Sequence, residues 1–114
     1  MRSFEVETRA GDGAAVVEVA GSVDAVTAPR LAEALQATVA GGEPRVVVDL
    51  AGVSYVSSAG LRAILSGVKA ARTAGGDLAV AAAQSQVREV FELAGLTTIV
   101  AFHDEVAAAV ASLG

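Results

Sequence analysis

Residues 45–72 read RVVVDLAGVSYVSSAGLRAILSGVKAAR, and the change of pattern inside them decides the fold. Arg45 to Leu50 carries three consecutive valines without polar alternation. A continuous β-branched run predicts a strand covered on both faces. Ala51 to Ser57, with its glycine and serines, predicts a turn and loop. Leu61, Ile64, Leu65 and Val68 then recur at i, i+3, i+4 and i+7, which predicts a helix opening near Ser58. The junction of strand end, loop and helix start is where α/β domains often place function. Two adjacent serines, Ser57 and Ser58, stand at that junction.

Working outward, the same two periodicities recur. Phe4, Val6 and Thr8 alternate with Glu5, Glu7 and Arg9, a half-buried strand. Gly11-Asp12-Gly13 turns the chain into a second strand, Ala14 to Val19, completing a hairpin. Gly21 to Val26 reads as a loop containing Asp24. Thr27 is a good N-cap with Pro29 in the first turn, and Leu31, Leu35 and Val39 mark the apolar side of a helix that Gly41-Gly42 stops. Past Gly75-Gly76, Leu78 to Ala82 forms a short strand. Ser85 is expected to cap a helix that buries Val87, Val90, Phe91 and Ala94 and ends near Gly95. Ile99 to Phe102 is the expected last strand, and Asp104 opens a closing helix with Val106, Ala109, Val110 and Leu113. The order is β-β-α-β-α-β-α-β-α. From the second strand onward, alternation predicts parallel pairing with right-handed crossovers. The expected fold is α/β, a mixed sheet of four to five strands with about four helices packed on it. No linker divides residues 1–114, so one domain is expected.

Composition narrows the function. Apolar residues make up 54% of 114 residues and aromatics 4%, enough for a core of valine strands and alanine-rich helices. The formal net charge of −5 provides no basic stripe for nucleic acid. There is no cysteine, so no disulfide or thiolate metal site is expected. With one histidine, a metal site would need clustered carboxylates, and none cluster along the chain. The N-terminal residues show no signal-peptide core, and no apolar run approaches the length of a membrane span, so a cytoplasmic location is expected.

No phosphate-binding glycine loop follows a strand, and no serine elbow is present. His103 reads as a partly exposed loop residue, and Asp49 as a carboxylate holding the backbone of the following loop. No enzymatic activity of its own and no cofactor are expected. Charge patterning is more informative. None of the thirteen acids falls between Leu50 and Gly76, whereas Arg62, Lys69 and Arg72 all do. The helix after Ser58 therefore reads as a basic face suited to an acidic partner or a phosphate. A serine at a helix start is first of all an N-cap. A phosphate on Ser58 would meet the free N–H groups of the helix and add about −1.5 to −2 charges to an acid-free surface. Ser54, Tyr55 and Ser57 are less well placed, with Tyr55 and Val56 expected to anchor the loop in the core.

Residues 49–65, DLAGVSYVSSAGLRAIL, resemble the signature of the STAS domain found in bacterial anti-sigma factor antagonists. The resemblance extends over nearly the whole chain. Gly21-Ser22-Val23-Asp24 resembles the family's G-x-[IVL]-D segment. Thr27-Ala28-Pro29-x-Leu31 resembles its first helix start, and residues 87–96, VREVFELAGL, its third helix and closing turn. Ser58 falls on the family's phosphorylatable serine, Ala59 on its second Ser/Thr, Gly60 on the motif glycine and Leu61 on the leucine. Ser57 stands where the classical motif has aspartate, which makes it a secondary phosphorylation candidate.

The resemblance implies a switch protein. The unphosphorylated antagonist binds an anti-sigma factor, usually with a GHKL-type serine kinase domain, and frees a sigma factor. The kinase phosphorylates the motif serine, and a PP2C-type phosphatase resets it. Partner contacts are expected around Asp24, Thr27, Ser57, Ala59, Gly60, Arg62 and Lys69. Two other readings stay open. One is an unphosphorylated interaction subunit of a signalling or lipid-transport assembly, and the other is a ligand- or nucleotide-binding module. The sequence leaves the oligomeric state open.

Overall fold

A computed structural model describes residues 4–114. Five strands form one mixed sheet in the spatial order of the chain. Strand β1 (Glu5–Ala10) pairs antiparallel with β2 (Ala15–Val23). Helix α1 (Ala28–Ala40) leads to β3 (Arg45–Val56), and helix α2 (Ser58–Thr73) to β4 (Asp77–Ala81). Helix α3 (Ser85–Leu93) and a 3-10 turn (Leu96–Thr98) precede β5 (Ala101–His103), and α4 (Val106–Leu113) closes the chain. Strands β2 to β5 pair in parallel, as the alternation of elements requires.

Strand β3 is central, and both of its faces are covered. Val46, Val47 and Val48 have no exposed surface. Val46 and Val48 join Leu31, Leu35, Ile64, Val68, Val87 and Phe91 in the core under α1, α2 and α3. Val47 turns the other way, with Val16, Ala79, Ala81 and Ala109, beneath α4. Phe91 anchors α3 by an edge-to-face contact with Phe102, centroids 5.0 Å apart, and such burial contributes about 1.5–3 kcal/mol.

Several expected boundaries move. Residues 51–56 extend β3 rather than looping, and β2 runs on to Val23, because the two pair all the way to Val23 opposite Val56. Register breaks between Glu18 and Ala20, and between Gly21 and Ser22, erase the alternation that marks a strand. Tyr55 is 53% exposed rather than anchored, while Val56 is buried. Gln84, not Ser85, stands at the N-cap of α3, and Ala94 is exposed. Gly95 adopts φ 75°, the left-handed conformation of a helix stop. The last strand begins at Ala101 rather than Ile99, because residues 96–98 tighten into a 3-10 turn. The closing helix starts at Val106 instead of Asp104.

Candidate functional site

The ends of β2 and β3 and the first turn of α2 meet at one edge of the sheet. Val23 lies opposite Val56, so the residues that follow them, Asp24 and Ser57, leave the sheet side by side. The Ser57 N–H donates to the Val23 carbonyl at 2.8 Å, tying the two strand ends together. Ser57, with an extended backbone, is the N-cap of α2, and its Oγ accepts from the Gly60 N–H at 3.3 Å. The Ser57 carbonyl accepts from Leu61 N–H at 3.0 Å. All three polar groups of Ser57 are engaged. Ser58, where the cap was the first reading, is instead the first helical residue. It is exposed, and its hydroxyl has no protein partner among the described residues.

Gly60 is buried beneath this turn. A Cβ there would stand 2.8 Å from Val23 Cγ1, 2.8 Å from Val56 Cγ1 and 3.1 Å from the Val23 carbonyl oxygen. Gly60 thus lets α2 start in contact with both strand ends. Ala59 is half-buried against the same core.

Beside this turn, the β2–α1 loop is closed by its own side chains. Asp24 Oδ1 accepts from the N–H groups of Val26 at 2.9 Å and Thr27 at 3.0 Å. The Thr27 hydroxyl accepts from the Asp24 N–H at 2.9 Å and points towards the Ser22 carbonyl at 2.9 Å. Thr27 occupies the N-cap position of α1, but its side chain turns back into the loop and caps no helical N–H. The Thr27 backbone N–H, above all, holds the Asp24 carboxyl below the usual carboxylate range. Desolvation opposes this, and the Val26 N–H, the Thr27 hydroxyl and Asp24's own N–H reinforce it. A carboxyl lowered on folding stabilises the fold above its unfolded pKa and loses that effect as pH falls through its folded one. Asp24→Ala is therefore expected to destabilise the protein at neutral pH, with the difference from the native chain shrinking through the acid range. Urea melts of both proteins across that range check this, and a difference constant with pH would sink it.

Arg62 and Lys69 are both exposed and lie two helical turns apart, on one side of α2. Ser66, between them, accepts from Gln36 Nε2 of α1 at 2.9 Å, so this face borders the groove between the two helices. Arg72 does not belong to the free basic face. Its Nε meets Asp77 Oδ1 at 2.9 Å and its Nη2 donates to the Ile99 carbonyl at 2.6 Å. Val26, 83% exposed, and Tyr55 add apolar surface at the same end of the sheet, which sequence patterning did not reveal.

His103 is the last residue of β5, half-buried, and not a loop residue. Among the described residues its buried Nε2 has no partner, and no hydrogen bond joins it to a serine. Strand pairing sets acids that lie apart along the chain beside one another. Glu5, Glu7, Glu18 and Asp49 line a shallow trough on the sheet face. Glu7 stands opposite Glu18, and Glu18 opposite Asp49. Strand parity brings them together across three strands. Even so, no group of three or more acids or histidines among the described residues could hold a metal. Asp49 accepts from the Ala51 N–H at 3.0 Å, as expected, although within the strand.

Residues 5–109 match the model of the STAS domain family. The chain belongs to that family. The STAS match spans all of α2, the Asp24 loop and both strand ends that flank them. The chain is 42% identical over 88 residues to a protein of Bordetella bronchiseptica named as an anti-sigma factor antagonist, BtrV, covering 77% of this chain and 76% of that one. It is 32% identical over 98 residues to the anti-sigma-B factor antagonist of Listeria monocytogenes, covering 86% and 85% of the two. The crystal structure of an anti-sigma factor antagonist from Mycobacterium paratuberculosis superimposes with a TM-score of 0.85 at 29% identity, over 97% of this chain and 94% of the other. The mixed sheet with one antiparallel hairpin and four helices is the STAS fold. No helix among the described residues is long and apolar enough to cross a membrane.

Proposed function

We propose that this STAS protein is an anti-sigma factor antagonist that docks through the first turn of α2 and is switched off by phosphorylation of Ser58. The names of its relatives support the antagonist role. The observation that carries the switch is the contrast between two neighbouring serines. Ser58 offers a free, exposed hydroxyl at the start of a helix, whereas the Ser57 hydroxyl is used as the cap. A kinase active site needs an accessible hydroxyl, which favours Ser58 and disfavours Ser57 as acceptor.

The partner in this reading is an anti-sigma factor with a GHKL-type serine kinase domain. Its ATP supplies the γ-phosphoryl group. The Ser58 Oγ–P bond forms as the bond to ADP breaks, and the hydroxyl proton passes to a base of the kinase. A PP2C-type phosphatase hydrolyses the phosphoserine and restores binding. The chain itself needs no catalytic group for this cycle. Asp24, Thr27, Arg62 and Lys69 frame the docking face around Ser58, and Val26 and Tyr55 supply apolar contact. The protein works in the cytoplasm in this account.

Incubation with the cognate kinase and ATP, followed by intact-mass measurement, tests the acceptor. One phosphoryl group is expected on the native protein and on Ser57→Ala, and none on Ser58→Ala. An unmodified native protein, or a phosphoryl group that persists in Ser58→Ala, sinks the proposal.

A further inference from the structure

Among the described residues, the side chain one turn after Ser58 has no partner of its own. Arg62 follows Ser58 by four residues on α2, and residues so spaced stand on one face of a helix with Cβ atoms roughly 5–6 Å apart. Most arginines of the chain are already engaged. Arg9 pairs with Glu18, Arg72 with Asp77 and Arg88 with Glu92. Arg30 lies over the Phe4 ring, 4.9 Å from its centroid. Arg45 stands at the opposite end of the sheet, at the start of β3. Arg62 is exposed and, among the described residues, makes no ion pair, hydrogen bond or ring contact. The first turn of α2 also contains no acid that could claim it.

We infer that Arg62 is the intramolecular counter-charge of phosphorylated Ser58, a clamp that closes only when the phosphate is present. This rests on the Ser58 switch and specifies how it works. An acidic group N-terminal to a cation at i, i+4 is the favourable orientation of such a pair. A guanidinium also matches phosphate oxygens in a two-point fork that a lysine cannot form. Phosphorylation then alters the docking face twice. It adds a dianion, and it withdraws the nearest free cation from the partner. Lys69, two turns further along, stays free. Arg62 is thus a positioning residue with two states, facing the partner when Ser58 is bare and holding the phosphate when it is not.

The test places phosphoserine at position 58 by co-translational incorporation, without any kinase, and titrates it by phosphorus NMR. A neighbouring cation favours the dianion and so lowers the titration midpoint. The midpoint in the native sequence is expected to lie about 0.3 pH unit or more below that of Arg62→Gln. Arg62→Lys is expected to fall between them, and Lys69→Gln to match the native value. Added salt is expected to shrink the difference between the native sequence and Arg62→Gln. Both positions are exposed, so thermal melts of the unphosphorylated variants are expected to superimpose. Equal midpoints in the native and Arg62→Gln proteins overturn the clamp and leave the switch standing. The switch falls separately, on the mass measurement above.

Discussion

Ser58→Glu is expected to weaken binding to the anti-sigma factor on the order of a hundredfold while leaving the fold intact. Ser58 loses no side-chain hydrogen bond on substitution, because its hydroxyl makes none among the described residues. An acid at the first helical position lies against the positive end of the helix, where it is tolerated or mildly stabilising. Stability should therefore stay within about 0.5 kcal/mol of native. Binding responds differently. No acid lies between Leu50 and Gly76, and Asp24, the acid beside the site, has its Oδ1 held inside its own loop, so a carboxylate at position 58 confronts a partner surface matched to a neutral side chain there. A charge desolvated without a counterpart at an interface costs several kcal/mol. Ser58→Ala keeps the neutral surface and should bind as the native protein does. Ser57→Ala is the informative contrast. It removes the cap on Gly60 and should lower stability by about 1 kcal/mol with little effect on the affinity of the folded fraction. Calorimetric titration with the partner, beside thermal melts, separates the two effects. A Ser58→Glu affinity within threefold of native would contradict the prediction.

Gly60→Val is expected to destabilise the protein by about 3 kcal/mol, lowering Tm by roughly 10 °C. Its Cβ alone would stand 2.8 Å from methyl groups of both Val23 and Val56. Those valines are buried and cannot swing outward, and the Val23 carbonyl beyond them is tied to the Ser57 N–H. The first turn of α2 must then lift off the strand ends, breaking that tie and moving Ser58. The same change at Gly41, in ordinary backbone geometry at the end of α1 and close only to its own helix carbonyls, should cost much less. Differential scanning calorimetry of the two variants decides this. Equal losses would mean that Gly60 is not the packing point between helix and strands.

The frame of the fold was legible because its signals are local. Three valines in a row marked the central strand, and the spacing of Leu61, Ile64 and Val68 marked α2. What escaped depended on pairing. Residues 51–56 contain Gly52, Ser54 and Tyr55 and show no strand pattern. They become strand because β2 extends beside them and the register breaks absorb the irregularity. The distinction between Ser57 and Ser58 was legible only through motif register. In space it follows from which hydroxyl reaches Gly60 N–H. Arg72 resembled Arg62 and Lys69 in the sequence. The turn at Gly75-Gly76 brings Asp77 back to it and ties up its guanidinium. The acidic row of Glu7, Glu18 and Asp49 was invisible for the same reason, since its members come from three different strands.

The central claim is that one phosphoryl group on Ser58 ends partner binding without unfolding the domain. Its most direct test is the affinity of the cognate anti-sigma factor for two homogeneous preparations of this protein, one bare and one fully phosphorylated at Ser58, with their circular dichroism spectra recorded alongside. The account predicts superimposable spectra and a loss of affinity on the order of a hundredfold on phosphorylation. Equal affinities of the two forms, or a loss accompanied by unfolding, would contradict it.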